Sequence, residues 1–308
     1  MNDGKIRYFS MFTGVGGFEL GLEDKGECVG FSEIDKYCSE LLSKRFPRIT
    51  NFGDATKINP RELPDFDMLC GGFPCQAFSI AGKRRGFNDT RGTLFFEIAR
   101  IIEVKRPKII FLENVKGLLN HNKGETFSII IQTLSELGYG VQWMVLNSKF
   151  FGVPQNRERV FIIGSLRGES KPEILPFREI NKSSGRISQL NNPRHSNDRI
   201  YAVDGISPTL NTAQGGNRQP NIITSTITTE NAHVFGKNVT ARQAFDIASL
   251  TGKIRRLTPL ECERLQGFPD NWTEGFSDTQ RYKMMGNAVT VNVIRTIGEK
   301  LLEASQEK

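Results

Sequence analysis

Cys75 lies in the run Gly71-Gly72-Phe73-Pro74-Cys75-Gln76-Ala77-Phe78-Ser79, directly after an apolar stretch that reads as a strand. A thiol in a loop bounded by glycine and proline at a strand's carboxyl end is placed as a nucleophile. The competing reading is a buried structural thiol. Glu113 follows the apolar residues 109–112 in the same topological position. Partial burial there would keep its carboxyl protonated and able to donate a proton, although a lone glutamate also commonly begins a turn. Arg157 and Arg159, in Gln155-Asn156-Arg157-Glu158-Arg159, enter a further apolar stretch two residues apart, which puts them on one face of an extended strand. Planar guanidinium groups there suit a base carbonyl or a phosphate; an edge-strand salt bridge is the alternative.

A second set of residues suits a nucleoside. Phe12-Thr13-Gly14-Val15-Gly16-Gly17-Phe18 places glycines between a strand and a helix, where the backbone can approach a ligand closely. Glu33 ends the next strand, where a carboxylate hydrogen-bonds ribose hydroxyls. Asp54 follows Gly53 at the expected end of a third strand and suits an adenine amino group. Each feature alone also describes an ordinary turn or a solvated acid; their order along the chain is the stronger observation.

These residues need a scaffold that brings strand ends together. Short apolar runs at 6–12, 27–32, 66–70, 108–112, 141–146 and 159–164 alternate with helical patterns. Leu94, Ile98, Ile101 and Ile102 recur at helical spacing, and Ile129, Thr133 and Leu137 do so more weakly. The alternation predicts an α/β fold, a Rossmann-like, mainly parallel sheet with helices on both faces and its ligand site beyond the strands' carboxyl ends. After residue 170 Asn, Ser, Thr, Gln and Gly become frequent and apolar runs short, which predicts a smaller irregular domain with short strands over 171–256. Helical pattern returns in 257–308: Thr258 can cap with Pro259 in the first turn. Met284-Met285-Gly286-Asn287-Ala288-Val289 would open a last helix. Its stripe Val289, Val293, Ile297 and Leu301 must be buried, by a return to the first domain.

With 308 residues, 38% hydrophobic and 24% charged, the chain is an ordinary globular protein. No apolar run approaches the ~18–20 residues that cross a bilayer, and no signal-peptide pattern follows Met1; membrane and secreted readings are poor. Five cysteines without a CxxC pair and three isolated histidines suit neither a disulfide framework nor zinc, so no metal is expected. A reducing interior such as the cytoplasm fits. Of the net charge of +7, six units fall in residues 180–256, which hold ten Lys/Arg and four Asp/Glu. Confined positive charge suits a polyanion, with a solvated basic face as the alternative.

Taken in order, FTGVGGF, GGFPCQAFS, ENV, QNRER and MGNAV resemble the signature blocks of cytosine-5 DNA methyltransferases of the bacterial or phage type, with a single target-recognition domain. The resemblance spans nearly the whole chain, and residues 256–269 are similar to the block that follows the variable domain. Ser10 departs from it, since the first block commonly carries an acid after the strand.

The resemblance implies sequence-specific transfer of a methyl group from S-adenosyl-L-methionine to carbon 5 of a flipped cytosine. It makes Cys75 the nucleophile that adds to carbon 6, Glu113 the contact to N3 and the amino group, and Arg159 the partner of base carbonyl and sugar-phosphate, with Arg157 beside it in the catalytic set. The cofactor site comprises Phe12, Val15, Gly17, Glu33, Ile34, Asp54, Ala55, Pro74, Leu94, Asn287 and Val289. Ser79, Lys83, Arg84, Arg85 and Arg91, in and after the nucleophile loop, would contact DNA. The basic segment becomes the target-recognition domain, with Thr209 in a recurring Thr-Leu pair and Gln214, Asn217, Arg218 and Gln219 reading bases; a plain polar turn is the alternative. Double-stranded DNA is then the partner of a cytoplasmic, monomeric enzyme, with a cognate restriction endonuclease as a functional companion.

Three rivals compete. A tRNA cytosine-5 methyltransferase branch shares this catalytic domain, but usually carries a Cys-Phe-Thr motif in its variable domain, and residues 180–256 hold no cysteine. A non-catalytic DNA-binding protein leaves Cys75, Glu113 and Arg159 without purpose. A nicotinamide-dependent oxidoreductase leaves the Cys75 loop and basic insert unexplained.

Overall fold

The computed structural model describes residues 5–74, 94–168, 187, 189–191, 199–202, 205–211, 219–224 and 253–306. Among these the order begins β1 (Ile6–Met11), α1 (Gly17–Leu22), β2 (Gly26–Ser32), α2 (Lys36–Arg45), β3 (Met68–Gly72), α3 (Leu94–Lys105), β4 (Ile109–Val115), α4 (Glu125–Glu136) and β5 (Tyr139–Asn147). It continues with β6 (Gln155–Asn156), β7 (Glu158–Leu166), β8 (Ile200–Ala202), β9 (Ser207–Pro208), β10 (Asn221–Thr224) and β11 (Lys253–Arg256). The chain closes with α5 (Pro259–Leu265), α6 (Asp278–Asn287) and α7 (Val291–Gln306). The expected mixed α/β architecture is present.

The chain forms two compact units, 1–147 with 158–179 and 288–308, and 148–157 with 180–287. Residues 148–157 and 257–287 therefore group with the variable segment, and the return to the first unit begins at Ala288.

In the first unit a six-stranded sheet runs β2-β1-β3-β4-β7-β5. The pairs β1–β2, β1–β3 and β3–β4 are parallel, while β7 is antiparallel to both β4 and β5. This reversal matters for the site, because it brings the amino end of β7 to the edge where the parallel strands have their carboxyl ends. Side chains alternate across the sheet. Phe9, Met11, Leu69, Ile110, Leu112, Val160 and Ile162 form one core with Phe95, Ile98, Ile102, Ile130 and Leu134 of α3 and α4. Opposite them, Phe111 meets Phe18 of α1 edge to face at 5.1 Å.

The C-terminal helix does pack on α1, and Val293, Ile297 and Leu301 of its stripe are buried. A Cβ on Gly21 would lie 2.7 Å from Cβ of Ile294, and one on Gly298 would lie 2.5 Å from Leu22, so glycines let α1 and α7 approach closely. Its starting point differs from expectation: Met284–Asn287 ends α6, and a new helix begins after Thr290, whose carbonyl accepts from Val293 and Ile294.

In the second unit the strands are short: β10 pairs antiparallel with β11 and parallel with β8, and β6 pairs with β9. α5 begins as expected, in a capping box where Thr258 N–H donates to Glu261 Oε2 (2.7 Å) and Glu261 N–H to Thr258 Oγ1 (3.2 Å).

Candidate active site

β1 runs straight into a turn that only unusual backbone geometry can make. Phe12, Gly14 and Gly16 all have positive φ, at 55°, 60° and 87°. For an aromatic residue this conformation costs about 1–3 kcal/mol and persists where its surroundings impose it. The turn is tied to β2 by Thr13 N–H on Ser32 O (3.3 Å), and α1 starts as Leu20 N–H donates to Gly16 O (2.9 Å). Space around a Cβ on Gly14 is open, whereas one on Gly16 would meet the Phe46 ring at 2.7 Å. Gly14 is thus required by its φ and faces free space, as a backbone that receives a ligand must.

Glu33, just past β2, accepts from Gly14 N–H and Asp35 N–H, each at 2.7 Å. Burial pushes its carboxyl above the ordinary value, and these backbone N–H bonds oppose the shift. Ile34 beside it is 73% exposed, an apolar side chain held in the open. Asp54 does not end a third strand. Residues 51–54 make only an isolated bridge, Phe31 with Asn51; Gly53 then turns at φ 69° and Asp54 caps the 3-10 turn Ala55–Lys57. Its Oδ1 accepts from Thr56 N–H (3.0 Å) and Oγ1 (2.8 Å), which with nearby Lys57 hold its carboxyl below the usual range.

β3 and β4 supply the reacting edge. Gly72 stands in register with Glu113. A Cβ on Gly71 would lie only 2.2 Å from Met11 O, so glycine is demanded there by close packing, while one on Gly72 would crowd Glu113 Oε2 at 3.1 Å. Asn114 donates from Nδ2 to Phe73 O (2.8 Å), fixing the backbone that leads to exposed Pro74. Because β7 is antiparallel, Arg159 pairs with Val115 and lies diagonally across from Glu113. Arg159 Nε approaches Glu113 Oε1 at 3.0 Å, with Glu113 only 9% exposed.

The sheet thus gathers Phe12, Val15, Gly17, Glu33, Ile34, Pro74, Glu113 and Arg159 at or just beyond one edge, with Asp54 and Ala55 tied beside β2 through Ser32 Oγ on Gly53 O (2.7 Å). Leu94 opens α3, and Val289 lies just before α7 in the same unit. Asn287 is the exposed end of α6, in the second unit. Cys75, Ser79, Lys83, Arg84, Arg85, Arg91, Gln214, Asn217 and Arg218 lie outside the described residues.

Two expectations need correction. Arg157 is 2% exposed, and its guanidinium donates to Leu210 O (3.2 Å) and Gly286 O (3.1 Å). It braces the second unit, and its N–H turns back onto Gln155 O (3.0 Å), which interrupts the extended period between β6 and β7 that would put it on one face with Arg159. Gln219 is buried at 8% exposure, so its amide is packed inside the unit and not presented to a base edge. Thr209 is exposed but donates its hydroxyl to Asn156 O (2.6 Å). Residue reasoning missed Asp35, which caps α2 through Oδ1 on Tyr37 and Cys38 N–H, and Asn114; an Asx residue at a strand or helix boundary was the available signal.

Comparison with known proteins places this geometry. The family model for C-5 cytosine-specific DNA methylase matches residues 6–303. The chain is 39% identical to Type II methyltransferase M1.ScrFI of Lactococcus lactis subsp. cremoris, covering 98% of this chain and 79% of that protein. It is 36% identical to Type II methyltransferase M.HhaI of Haemophilus parahaemolyticus, covering 95% and 93%. Among solved structures, S. pombe Dnmt2 methyltransferase superposes with a TM-score of 0.73 at 17% identity, over 99% of this chain and 100% of that one, a likeness of fold. The chain belongs to the C-5 cytosine-specific DNA methylase family.

Proposed function

We propose that this chain methylates carbon 5 of a cytosine swung out of duplex DNA, with S-adenosyl-L-methionine as donor and Cys75 as covalent nucleophile. The observation that carries the reading is the Glu113–Arg159 pair, 3.0 Å apart, with Glu113 in register with Gly72, which leads to Pro74 and Cys75. A carboxyl and a guanidinium side by side can meet both polar edges of a pyrimidine, the N3–amino edge and the carbonyl.

The residues present fit the cofactor. Gly14 borders open space, Glu33 and Asp54 each present a carboxylate with about four acceptor sites, Ile34 offers an exposed apolar surface, and the second oxygen of Asp54 carries a long ion pair to Lys57 Nζ (3.7 Å). The cofactor supplies a methyl group on a positively charged sulfur. Cys75, as thiolate, adds to carbon 6, and the ring electrons move to carbon 5. Glu113 bonds N3 and the amino group and Arg159 the carbonyl, stabilising the charge that the ring gains. Carbon 5 would take the methyl group, leaving the donor a neutral thioether; a water molecule would then accept the carbon 5 proton, and the C–H electron pair would expel Cys75 as thiolate. Flipping the base costs a few kcal/mol, which cationic contacts from Lys83, Arg84, Arg85 and Arg91 offset on the phosphates.

Double-stranded DNA is the partner this requires, in the cytoplasm or nucleoid. The Type II names of the relatives support a restriction–modification setting, with an endonuclease as functional companion to a monomeric methyltransferase. No described helix is long and apolar enough to cross a membrane.

Bisulfite sequencing of DNA from cells expressing the protein tests the reading. Protected cytosines confined to one sequence context are expected; complete conversion throughout would overturn it.

A further inference from the structure

The turn that carries Asp54 is gripped from the far side by a residue forty-six positions later. Arg100 projects from α3 onto residues 55–58, donating from Nη1 to Ile58 O (2.6 Å) and from Nη2 to Ala55 O (2.9 Å). Its Nε donates to Glu97 Oε2 (2.9 Å), one helical turn earlier, which neutralises the cation and fixes its plane. A guanidinium is a rigid fork. With one prong on each of these carbonyls, it fixes the distance between the two ends of the turn. The opposite side is held by Ser32 Oγ on Gly53 O and by Asn51, whose Oδ1 accepts from Glu33 and Gly53 N–H. Asp54 Oδ1 is committed to Thr56, and Oδ2 has a long ion pair to Lys57 Nζ (3.7 Å), both residues of the same turn, so the direction of Oδ2 follows the turn's own orientation.

We infer that Arg100 is a positioning residue for adenine recognition: by clamping Ala55 O and Ile58 O it aims the Asp54 carboxylate at the amino group of the cofactor's base. This rests on the reading of Asp54 given above. Arg100 itself touches neither cofactor nor DNA in this account, and its effect is confined to the one base edge that Asp54 reads.

The test is calorimetric titration of the full chain with S-adenosylhomocysteine and with S-inosylhomocysteine, which carries a carbonyl where adenine has its amino group. Wild type should prefer the adenosyl ligand. Arg100→Met should weaken the adenosyl ligand about 10-fold, the size of one well-aimed hydrogen bond, and leave the inosyl ligand within about 2-fold. Arg100→Lys, which keeps the charge but loses the rigid two-pronged fork, should fall between and serves if the methionine variant does not fold. A thermal melt without ligand confirms that each variant is folded. Equal weakening of both ligands, or undiminished preference in a folded variant, would overturn the inference while leaving Asp54 in place. A wild type that binds both ligands equally would overturn the Asp54 reading, and this inference with it.

Discussion

The carboxyl edge of the six-stranded sheet and the interior of the second unit are built from the same polar residue types, put to opposite uses. At the sheet edge, the carboxylates meet neighbouring N–H, hydroxyl and cationic groups: Glu33 accepts from Gly14 and Asp35 N–H, Asp54 from Thr56, and Glu113 faces Arg159. In the second unit, polar side chains are turned inward onto backbone. Gln155 donates to Leu265 O (3.0 Å), Gln266 to Met285 O (2.8 Å), and Arg157 to Leu210 and Gly286 O. Glu263, fully buried, receives Thr273 N–H (2.9 Å), the Thr273 hydroxyl and Arg281 (3.0 Å). Short strands supply few ladder bonds, so side chains there satisfy carbonyls that a larger sheet would satisfy with backbone. Partner type, more than residue type, separates a functional polar group from a structural one.

Glutamates from the two regions give the sharpest break. Glu113→Gln should lower methyl transfer by about 10²–10⁴-fold, the range for loss of a positioned acid, with little change in the melt. Glu263→Gln should instead destabilise the fold by about 1–3 kcal/mol, read as a lower urea midpoint. A Glu263 variant that is stable and inactive would erase the distinction.

The arginines sharpen it further. Arg157→Met leaves two buried carbonyls without their donor and should cost about 2–4 kcal/mol of stability. Arg159→Met should show its main effect in kcat/KM. Exchange of these two outcomes would reinstate Arg157 as the base-facing residue.

Glu19 supplies a pH test within the first unit. It lies 1% exposed on α1, and burial raises its carboxyl from 4.5 to about 7, with Ser10 opposing the shift. Between those values the folded chain binds more protons than the unfolded one, so this group's stabilisation is complete below pH 4.5 and is lost as pH rises through about 7. The expected loss is on the order of 3 kcal/mol. Glu19→Gln should remove that part of the pH dependence, so the melting temperature of wild type relative to the variant should fall between pH 5 and pH 8. A constant difference would contradict the buried, protonated carboxyl.

The smallest effect concerns helix caps, one in each unit. Asp35→Ala and Thr258→Ala should each cost about 1 kcal/mol, seen in urea melts; because the backbone N–H of residue 35 that donates to Glu33 survives the substitution, neither should weaken cofactor binding.

Strand positions were legible because apolar runs of four to six residues sit between turn residues, and the stripe Val293, Ile297, Leu301 announced a helix that had to be buried. The direction of β7 was not, since a strand's sequence is the same whether it runs parallel or antiparallel; the site nevertheless depends on it, because only the antiparallel course delivers Arg159 to Glu113. Arg157 and Arg159 were placed together by a two-residue period that a local turn at Asn156 breaks, through a backbone bond no side-chain pattern announces. Gln219 looked like a base reader by its type and its glycine-rich neighbourhood; its burial depends on packing within an irregular unit whose periodicity is too weak to assign faces. Motifs in fixed order carried the family, while individual roles waited on partners.

The transient carbon–sulfur bond can be trapped. Duplex DNA with 5-fluorocytosine at the position identified by bisulfite sequencing should, with S-adenosyl-L-methionine, yield a complex that survives denaturing electrophoresis. Peptide mapping should locate the link at Cys75, and Cys75→Ser should still bind the duplex without forming the complex. Methylation of ordinary cytosine with no trapped species, or a covalent complex that persists in Cys75→Ser, would contradict the mechanism.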